Sequence, residues 1–311
     1  MADCLIVTPL ATEFAAEIER LAGNEIDVKA CRSADEARDA YQGESVLFGN
    51  PAQIAELLDD WSQVDWVQSS WAGVTPLINA VRRDYQLTGV KGVFGPQMSE
   101  YVFGYLLNFE LRIAERRAAQ AARTWDRDHS GVLEGKTIGV MGTGSIGAHI
   151  ASTAIAFGMT PIGFSRSGNP AEPFEQTFGA DALDDFLRQS EHLVATLPAT
   201  PDTDDLLNTR TLALLPRGAC FVNVGRSNVV DDMALIEALQ TGQVGSAALD
   251  VFDVEPLPDD SPLWTAPNLS VTAHIAAISH PMLIVPIFIE NFRRYRENQP
   301  LQYVVDFDAG Y

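Results

Sequence analysis

The sequence predicts an α/β protein with two parallel β-sheets, and three observations support this class. Short apolar runs alternate with stretches of helical periodicity over about the first hundred residues, and again from the segment LEGKTIGVMG onward. Strands that alternate with helices favour parallel sheets joined by right-handed crossovers. One long helical stretch separates the two series, so we expect each series to form a domain of its own.

The first series begins with CLIVTP, which predicts a strand, and continues with a helix over residues 11–22. SVLFGN predicts a strand, AQIAELL a helix, and VDWVQSSWAGV a strand that runs into a glycine turn. The stretch from Ser99 to about Arg123 has apolar residues at helical spacing and predicts one long helix. Its basic end suits the negative pole of the helix dipole.

The second series begins with the strand TIGVMG, the helix AHIASTAIAFG and the strand TPIGFSRSG. EHLVATLP, ACFVNVG, SAALDVFD and LSVTAHIAA predict four further strands. The last segment, PMLIVPIFIENFRRYREN, predicts a helix with Pro286 inside it. Because this helix lies beyond the second series, it could return to the first domain.

Composition excludes several classes of protein. Apolar residues make up 46% of the chain, which excludes disorder, and none of the apolar runs reaches the roughly 20 residues that span a bilayer. The N-terminus MADCLIVTPLATEF lacks a basic segment and predicts a strand, not a signal peptide. Cys4, Cys31 and Cys220 are spaced for neither zinc nor a redox pair. We therefore expect a soluble cytoplasmic protein with reduced thiols and no bound metal.

The charge balance is strongly acidic. Forty-two acidic residues against 21 basic ones give a formal charge of −21, and only three of the bases are lysines. Such a surface would repel the phosphates of nucleic acid, which we exclude as a partner. Acid-rich, lysine-poor surfaces are typical of proteins from salt-accumulating halophiles, because a Debye length of about 3 Å at 1 M salt screens their self-repulsion. We hypothesise a halophilic source.

The segment TIGVMGTGSIG predicts a phosphate-binding turn. Gly142, Gly144 and Gly147 form the pattern GxGxxG between a predicted strand and a predicted helix, which is the context that gives this pattern its meaning. The first glycine permits the tight turn, the second lets the backbone approach a pyrophosphate, and the third lets the helix pack closely on the strand. The helix N-terminus offers free N–H groups to the anion. The sequence therefore predicts a dinucleotide site.

The end of the next strand indicates which dinucleotide binds. An NAD enzyme usually carries Asp or Glu there for the ribose 2′-hydroxyl, whereas this chain has Ser165, Arg166 and Ser167. An arginine flanked by hydroxyls can bind a 2′-phosphate through charge-assisted hydrogen bonds, and a carboxylate would repel it. We expect NADP(H) to be preferred, with NAD(H) as the weaker cofactor.

Three chemically distinct residues follow three strands of the second series. Arg226 comes after FVNVG, Glu255 after SAALDVFD, and His274 ends LSVTAH. Open α/β sheets bind ligands at the carboxyl ends of their strands. An arginine can grip a carboxylate and polarise an adjacent carbonyl, an imidazolium can protonate the carbonyl oxygen, and a glutamate can orient the imidazole. This set suits hydride transfer to a 2-oxo acid. His129, His149, His192 and His280 have no such companions, and we expect them to be structural.

Several motifs of the sequence resemble those of a known family. GTGSIG, LPATPDT, VNVGRSNVVDD, ALIEALQTGQVGSAALDVFDVEPLP, SPLW and TAHIAA resemble the D-isomer-specific 2-hydroxyacid dehydrogenases, and within them the glyoxylate/hydroxypyruvate reductase-like branch. The resemblance extends from about Gln97 to Ala277, and QSSWAGV carries it in the first ninety residues. Members of the family use Arg, Glu and His in the roles given above, at positions that match Arg226, Glu255 and His274.

The resemblance implies the architecture and further site residues. It implies two Rossmann-like domains: a flavodoxin-like substrate-binding (catalytic) domain, discontinuous over residues 1–96 and 281–311, and a dinucleotide-binding domain over 97–280 through which the protein forms a homodimer. It implies that the backbone of Ala72, Gly73 and Val74 holds the substrate carboxylate, and that Asp250 helps hold the nicotinamide carboxamide. The further cofactor neighbours that it implies are Ser145, Ile146, Pro198, Thr203 and Val224.

Two matters remain open. The superfamily also includes transcriptional corepressors that sense dinucleotide and retain the catalytic residues, so a dinucleotide-sensing or non-catalytic binding protein is the alternative. The native 2-oxo acid is undecided, with Asn50, Trp71, Met98 and Tyr101 as candidates for the pocket that receives its side chain. Glu255 argues against formate dehydrogenase activity, and the end of the chain at Tyr311 leads us to expect no regulatory extension of the phosphoglycerate dehydrogenase type.

Overall fold

The computed structural model describes residues 3–308, which divide into two compact units. The chain up to Val93 and the residues from Ser279 onward form the first unit, and Phe94–Ile278 form the second. From the sequence, we expect the chain to pass from one domain to the other at 96/97 and at 280/281. Its substrate domain also includes residues 1, 2 and 309–311, which lie outside the described residues.

The first unit contains a five-stranded parallel sheet in the order β2-β1-β3-β4-β5, as in flavodoxin-like folds. Its elements before the chain enters the second unit are β1 (Cys4–Val7), α1 (Ala11–Ala22), β2 (Val28–Cys31), α2 (Ala34–Ala40), β3 (Val46–Gly49), α3 (Pro51–Leu58), β4 (Trp66–Ser69), α4 (Thr75–Ile78) and β5 (Gln86–Thr88). Four of these elements, β2, α2, α4 and β5, are not predicted from the sequence. The residues of β2 and α2, VKAC and ADEARDA, lack a strong apolar pattern.

The second unit contains a seven-stranded parallel sheet in the order β12-β11-β10-β9-β6-β7-β8. Its elements are α5 (Gly95–Glu110), α6 (Ile113–Ala121), β6 (Thr137–Met141), α7 (Ser145–Ala156), β7 (Thr160–Phe164), β8 (Gln176–Phe178), α8 (Leu183–Gln189), β9 (His192–Ala195), α9 (Thr209–Leu212), β10 (Ala219–Asn223), α10 (Asp232–Thr241), β11 (Val244–Leu249) and β12 (Leu269–Val271). The two parallel sheets confirm the α/β class that the sequence predicts.

The last helix, α11 (Pro281–Arg296), belongs to the first unit. Its apolar face packs on the first sheet, where the ring of Phe288 stacks on that of Phe48 with centroids 4.4 Å apart. The guanidinium of Arg293 near its end binds both oxygens of Glu25 at 2.7 and 2.8 Å. The last helix therefore completes the core of the first unit.

The prediction of one long helix from Ser99 to Arg123 is wrong. The helix starts earlier and is interrupted between α5 and α6, where Arg112 adopts a left-handed conformation with φ of 53°. The guanidinium of Arg112 lies 2.8 Å from a carboxylate oxygen of Asp128, which follows α6. Left-handed backbone costs a non-glycine residue about 1–2 kcal/mol. A tertiary ion pair, which helical periodicity cannot reveal, accompanies the break.

The parallel arrangement decides where side chains can meet. All seven strands of the second sheet run in the same direction, so the segments after β6, β7, β10, β11 and β12 leave from one edge. These segments carry the glycine turn and the predicted Arg, Glu and His. Among the described residues, helices long and apolar enough to span a membrane are absent.

Candidate active site

The glycine turn after β6 has the geometry that its sequence predicts. Gly142 has φ of 109°, and a Cβ atom placed on Gly147 would lie 1.9 Å from the carbonyl oxygen of Gly142. A side chain at Gly147 is therefore excluded by backbone. A Cβ atom on Gly144 would meet nothing within 4 Å, so this glycine borders open space at the start of α7.

The start of α7 offers unpaired donors to that open space. Gly144 caps the helix without any side-chain hydrogen bond, and both Gly144 and Ser145 are exposed. The first N–H groups of a helix have no partner within it, and the helix dipole favours negative charge there. Ser145 and Ile146 lie in this first turn. The turn and the helix start fit the pyrophosphate of a dinucleotide.

The segment after β7 presents a cation beside two hydroxyls. Arg166 and Ser167 are exposed, and Ser165 is half-buried. The backbone N–H of Gly168 donates to the Ser165 hydroxyl oxygen at 3.2 Å, and that of Asn169 donates to the Ser167 hydroxyl oxygen at 3.3 Å. These bonds hold the turn that carries Arg166. Its composition fits a 2′-phosphate, and contact with the cofactor stays a prediction.

The remaining predicted cofactor neighbours lie after β9 and β10. The hydroxyl of Thr203 donates to the carbonyl oxygen of Pro198 and accepts from the N–H of Thr200, each at 2.9 Å, so it closes its own turn. Pro198 is exposed, whereas Val224 is buried and donates its N–H to Ala195 at 3.1 Å. Any contact of these residues with a cofactor stays a prediction.

A buried asparagine shapes the turn that presents Arg226. The Asn223 side chain accepts from the N–H of Gly225 at 3.0 Å and donates to the carbonyl oxygen of Arg226 at 2.9 Å. A Cβ atom on Gly225 would lie 2.9 Å from the backbone of Leu197, so this position requires glycine. The guanidinium donates to the carbonyl oxygen of Gly225 at 2.7 Å. This role of Asn223 is not predicted from the sequence, where Asn223 is one polar residue in a strand.

Glu255 interacts with both of the other predicted catalytic residues. One of its carboxylate oxygens lies 2.9 Å from Nδ1 of His274, and the other accepts from the N–H of Phe252 at 3.0 Å. Burial lowers the pKa of Arg226, and the negative charge of Glu255 opposes that shift. Since Nδ1 of His274 faces Glu255, Nε2 is the ring nitrogen that can meet a substrate. Glu255 thus binds His274 directly and acts on Arg226 through its charge.

Asp250 is buried beneath the turn that carries His274. Its carboxylate accepts from the hydroxyl of Thr272 at 2.6 Å and from the backbone N–H groups of Ile275 and Ala276, each at 2.8 Å. Its contact with a nicotinamide carboxamide stays a prediction. The sequence analysis does not identify Thr272, although its position two residues before His274 is a signal that could have found it.

The predicted carboxylate-binding turn lies in the first unit, directly after β4. Ala72 is exposed, Gly73 half-buried and Val74 buried. The hydroxyl of Ser69 accepts from the N–H of Trp71 at 3.0 Å and donates to its carbonyl oxygen at 2.9 Å, which closes the preceding turn. The turn therefore presents backbone groups at Ala72 and Gly73, and their contact with a substrate stays a prediction.

The other residues singled out by sequence have local roles. Asn50 caps α3 by accepting from the N–H of Ala52 at 2.9 Å, and Tyr101 binds the hydroxyl of Thr272 at 2.6 Å. Nδ1 of His149 lies 2.7 Å from the hydroxyl of Ser99. The part of the chain that the structure describes contains no cluster of three or more His, Cys, Asp or Glu side chains suited to a metal.

The sequence and the fold match those of known proteins. Residues 103–276, more than half of the chain, match the family described as D-isomer specific 2-hydroxyacid dehydrogenase, NAD binding domain. The glyoxylate/hydroxypyruvate reductase A of Photorhabdus laumondii is 33% identical over 217 residues, which cover 70% of this chain and 69% of that protein.

Two solved structures align over nearly the whole chain. A D-isomer specific 2-hydroxyacid dehydrogenase family protein from Aeromonas salmonicida is 38% identical with a TM-score of 0.93, over 99% of this chain and 100% of that one. The NADPH-dependent glyoxylate/hydroxypyruvate reductase of Sinorhizobium meliloti, solved with NADP and sulfate, is 29% identical with a TM-score of 0.88, over 99% and 100%. This chain belongs to the D-isomer-specific 2-hydroxyacid dehydrogenase family.

Proposed function

We propose that this protein is an NADP(H)-dependent dehydrogenase that reversibly reduces 2-oxo carboxylic acids to D-2-hydroxy acids. The observation that carries the proposal is the grouping of Arg226, Glu255 and His274, with Glu255 hydrogen-bonded to the histidine and acting on the arginine. Related proteins described as glyoxylate/hydroxypyruvate reductases, one of them solved with NADP, support the reaction class and the cofactor.

The second unit has the residues to hold the cofactor. The glycine turn and the start of α7 would bind the pyrophosphate, and Ser165, Arg166 and Ser167 would bind the 2′-phosphate. When bound, a nicotinamide dinucleotide supplies the hydride for reduction of the ketone.

Arg226 binds the carboxylate of the substrate and polarises the adjacent carbonyl. Its planar guanidinium has several donors in a fixed geometry, which suits the adjacent carboxylate and carbonyl oxygens of a 2-oxo acid. Burial strengthens such contacts, since water competes less for the charge.

His274 moves the proton. Its Nε2 donates a proton to the ketone oxygen as the carbon is reduced, and takes it back from the hydroxyl in the reverse reaction. Glu255 binds Nδ1, so it fixes the tautomer and the direction of the ring. The overall change adds one hydride and one proton across the carbonyl, giving the 2-hydroxy acid.

The test is a panel of 2-oxo acids, including glyoxylate, hydroxypyruvate and branched-chain 2-oxo acids, assayed with NADPH and NADH at low salt and in molar KCl. We expect loss of NADPH absorbance with at least one acid, and a product of D configuration. NADPH binding without turnover of any member would instead favour the dinucleotide-sensing alternative and refute the enzymatic proposal.

Variants test the residue roles. His274→Gln should lower kcat by about 10²–10⁴-fold while NADPH still binds, because proton transfer loses its donor. The matched control is His129→Gln, which makes the same change at an exposed histidine of the same unit. Unchanged turnover in His274→Gln would remove this residue from the proposed acid role.

We also propose a homodimer through the dinucleotide-binding unit, as the family resemblance implies. Light scattering coupled to size exclusion should give a mass twice that of one chain. A single-chain mass at micromolar concentration and at both salt levels would contradict this.

A further inference from the structure

The turn that carries His274 is held from below by a chain of directed hydrogen bonds. An ionised Asp250 can only accept, so the hydroxyl of Thr272 must donate to it at 2.6 Å. The Thr272 oxygen is then left to accept from the phenol of Tyr101, also at 2.6 Å. Burial raises the pKa of Tyr101, so its phenol keeps the proton that it donates.

The same carboxylate binds the backbone on the far side of His274. The N–H groups of Ile275 and Ala276 donate to the two oxygens of Asp250, each at 2.8 Å. Consecutive backbone N–H groups that converge on one anion form a nest, which requires a left-handed residue nearby. His274 supplies that residue with φ of 54°. Asp250 thus binds Thr272 on one side of His274 and two amides on the other.

One face of α5 binds both ends of the segment 272–278, which includes His274. Gln97 and Tyr101 are four residues apart and therefore lie on the same side of the helix. The amide of Gln97 donates to the carbonyl oxygen of Ile278 at 3.0 Å and accepts from its N–H at 2.9 Å. Tyr101 contacts the beginning of the segment at Thr272, and Gln97 contacts its end.

A histidine in left-handed backbone does not stay there without support. The conformation is unfavourable for a residue with a side chain and persists only where the surroundings determine it. The side chain of His274 is 38% exposed, so packing alone does not hold it. Its bond to Glu255 directs the ring, whereas the bonds to Asp250 determine the backbone from which the ring projects.

We propose that Asp250, Thr272, Tyr101 and Gln97 are positioning residues that hold His274 in its left-handed conformation and so direct Nε2 at the substrate. This proposal rests on the proposed function, in which His274 transfers the proton. It gives Asp250 a role that needs no contact with the cofactor. The four residues act through His274 and do not touch the reacting atoms.

The decisive variant is Thr272→Val, which has nearly the same shape but lacks the hydroxyl. It leaves the backbone bond from the Thr272 N–H to Leu249, which measures 3.0 Å, in place. We expect kcat for the 2-oxo acid to fall about tenfold, because small misplacement of a catalytic group costs one to two orders of magnitude in rate. The KM values for NADPH and the 2-oxo acid should stay within about twofold.

A double-mutant cycle separates positioning from general destabilisation. When His274 is already Gln, the Thr272→Val change should lower the residual rate by less than about twofold, since no imidazole remains to be positioned. An equal loss in both backgrounds would overturn the proposal. Tyr105→Phe is the matched control for Tyr101→Phe: the ring of Tyr105 lies one turn further along α5, tilted by 49° against that of Tyr101 with centroids 4.7 Å apart. Only Tyr101→Phe should lower kcat.

Amide hydrogen exchange tests the geometry without activity. The N–H groups of Ile275 and Ala276 should exchange slowly in the wild-type protein, and at least tenfold faster in Asp250→Ala and Thr272→Val. Unchanged exchange in both variants, with unchanged kcat, would refute the positioning role. If the wild-type protein reduced no 2-oxo acid, the proposed function would fail, and exchange alone would decide this proposal.

Discussion

Replacing Arg166 with aspartate should reverse the preference between the two dinucleotides. Arg166 is exposed at the end of β7, in a turn held by the hydroxyls of Ser165 and Ser167. The change removes the cation expected at the 2′-phosphate and puts a carboxylate in its place. A carboxylate repels the phosphate of NADPH, and can accept from the ribose hydroxyls of NADH.

The size of this effect follows from the exposure of the site. A charge-assisted hydrogen bond contributes about 1.5–3 kcal/mol, and solvent reduces it here to about 1–2 kcal/mol. Repulsion between the new carboxylate and the phosphate adds about 1 kcal/mol at 4 Å in water. The sum is about 2–3 kcal/mol, so the ratio of kcat/KM for NADPH to that for NADH should fall about 30- to 150-fold.

The assay compares kcat/KM for both cofactors at a fixed saturating 2-oxo acid, in wild type and variant. Arg188→Asp is the matched control, because Arg188 is exposed on α8 of the same unit and the charge change is identical. The control should keep the wild-type ratio within about twofold. An unchanged ratio in Arg166→Asp would show that this arginine does not read the 2′-phosphate.

Three further predictions concern stability. Burial, with Asp253 as the next cause, raises the pKa of Asp232 from 3.8 to about 6, so stability is lost as the pH rises from about 4 through 6. Asp232→Asn should raise the unfolding free energy by about 1 kcal/mol at about pH 7.5 and leave it unchanged near pH 4. Asp259→Asn, at an exposed acid, should leave the unfolding free energy unchanged at both pH values. Burial, then Lys136, lowers the pKa of His192 to about 4, although a carboxylate oxygen of Glu110 lies 3.1 Å from its Nε2 and opposes this shift. Neutral His192 therefore stabilises the fold fully above about pH 6.5, and this stabilisation is lost as the pH falls toward 4. Between about pH 7.5 and 4.5, the free energy of unfolding in urea should fall by about 2–3 kcal/mol more in the wild-type protein than in His192→Gln. Parallel curves of unfolding free energy against pH would contradict the shift in the pKa of His192. The formal charge of −21 predicts a urea midpoint that rises from low salt to molar KCl, and a constant or falling midpoint would refute the halophilic hypothesis.

The helix break shows where local pattern fails. The sequence from Ser99 to Arg123 has continuous helical periodicity, and the structure nevertheless interrupts it at Arg112. The guanidinium of Arg112 binds Asp128, a residue that periodicity within the helix does not report. Likewise, β2 pairs with β1 at the edge of the first sheet and α2 packs beside β2 and α3, although the residues of both elements have a weak apolar pattern.

In the site, too, some features could be predicted from the sequence and others could not. Gly142, Gly144 and Gly147 could be assigned from sequence because strand, turn and helix are adjacent in the chain. Backbone geometry requires glycine at Gly142 and Gly147, whereas Gly144 borders open space. The bond between Glu255 and His274 spans 19 residues. It depends on the register of β11 against β12, which no local pattern encodes.

By itself the sequence determined the alternating α/β order, the glycine turn, and the presence of Arg226, Glu255 and His274 after separate strands. Parallel strands end at one edge of a sheet, so strand order along the chain was enough to bring these residues to one side. Only the tertiary structure decided that Glu255 binds Nδ1 of His274, and that Asp250 binds the backbone around it. Those bonds require distances and directions between distant segments, which arise when the sheet twists and the loops pack.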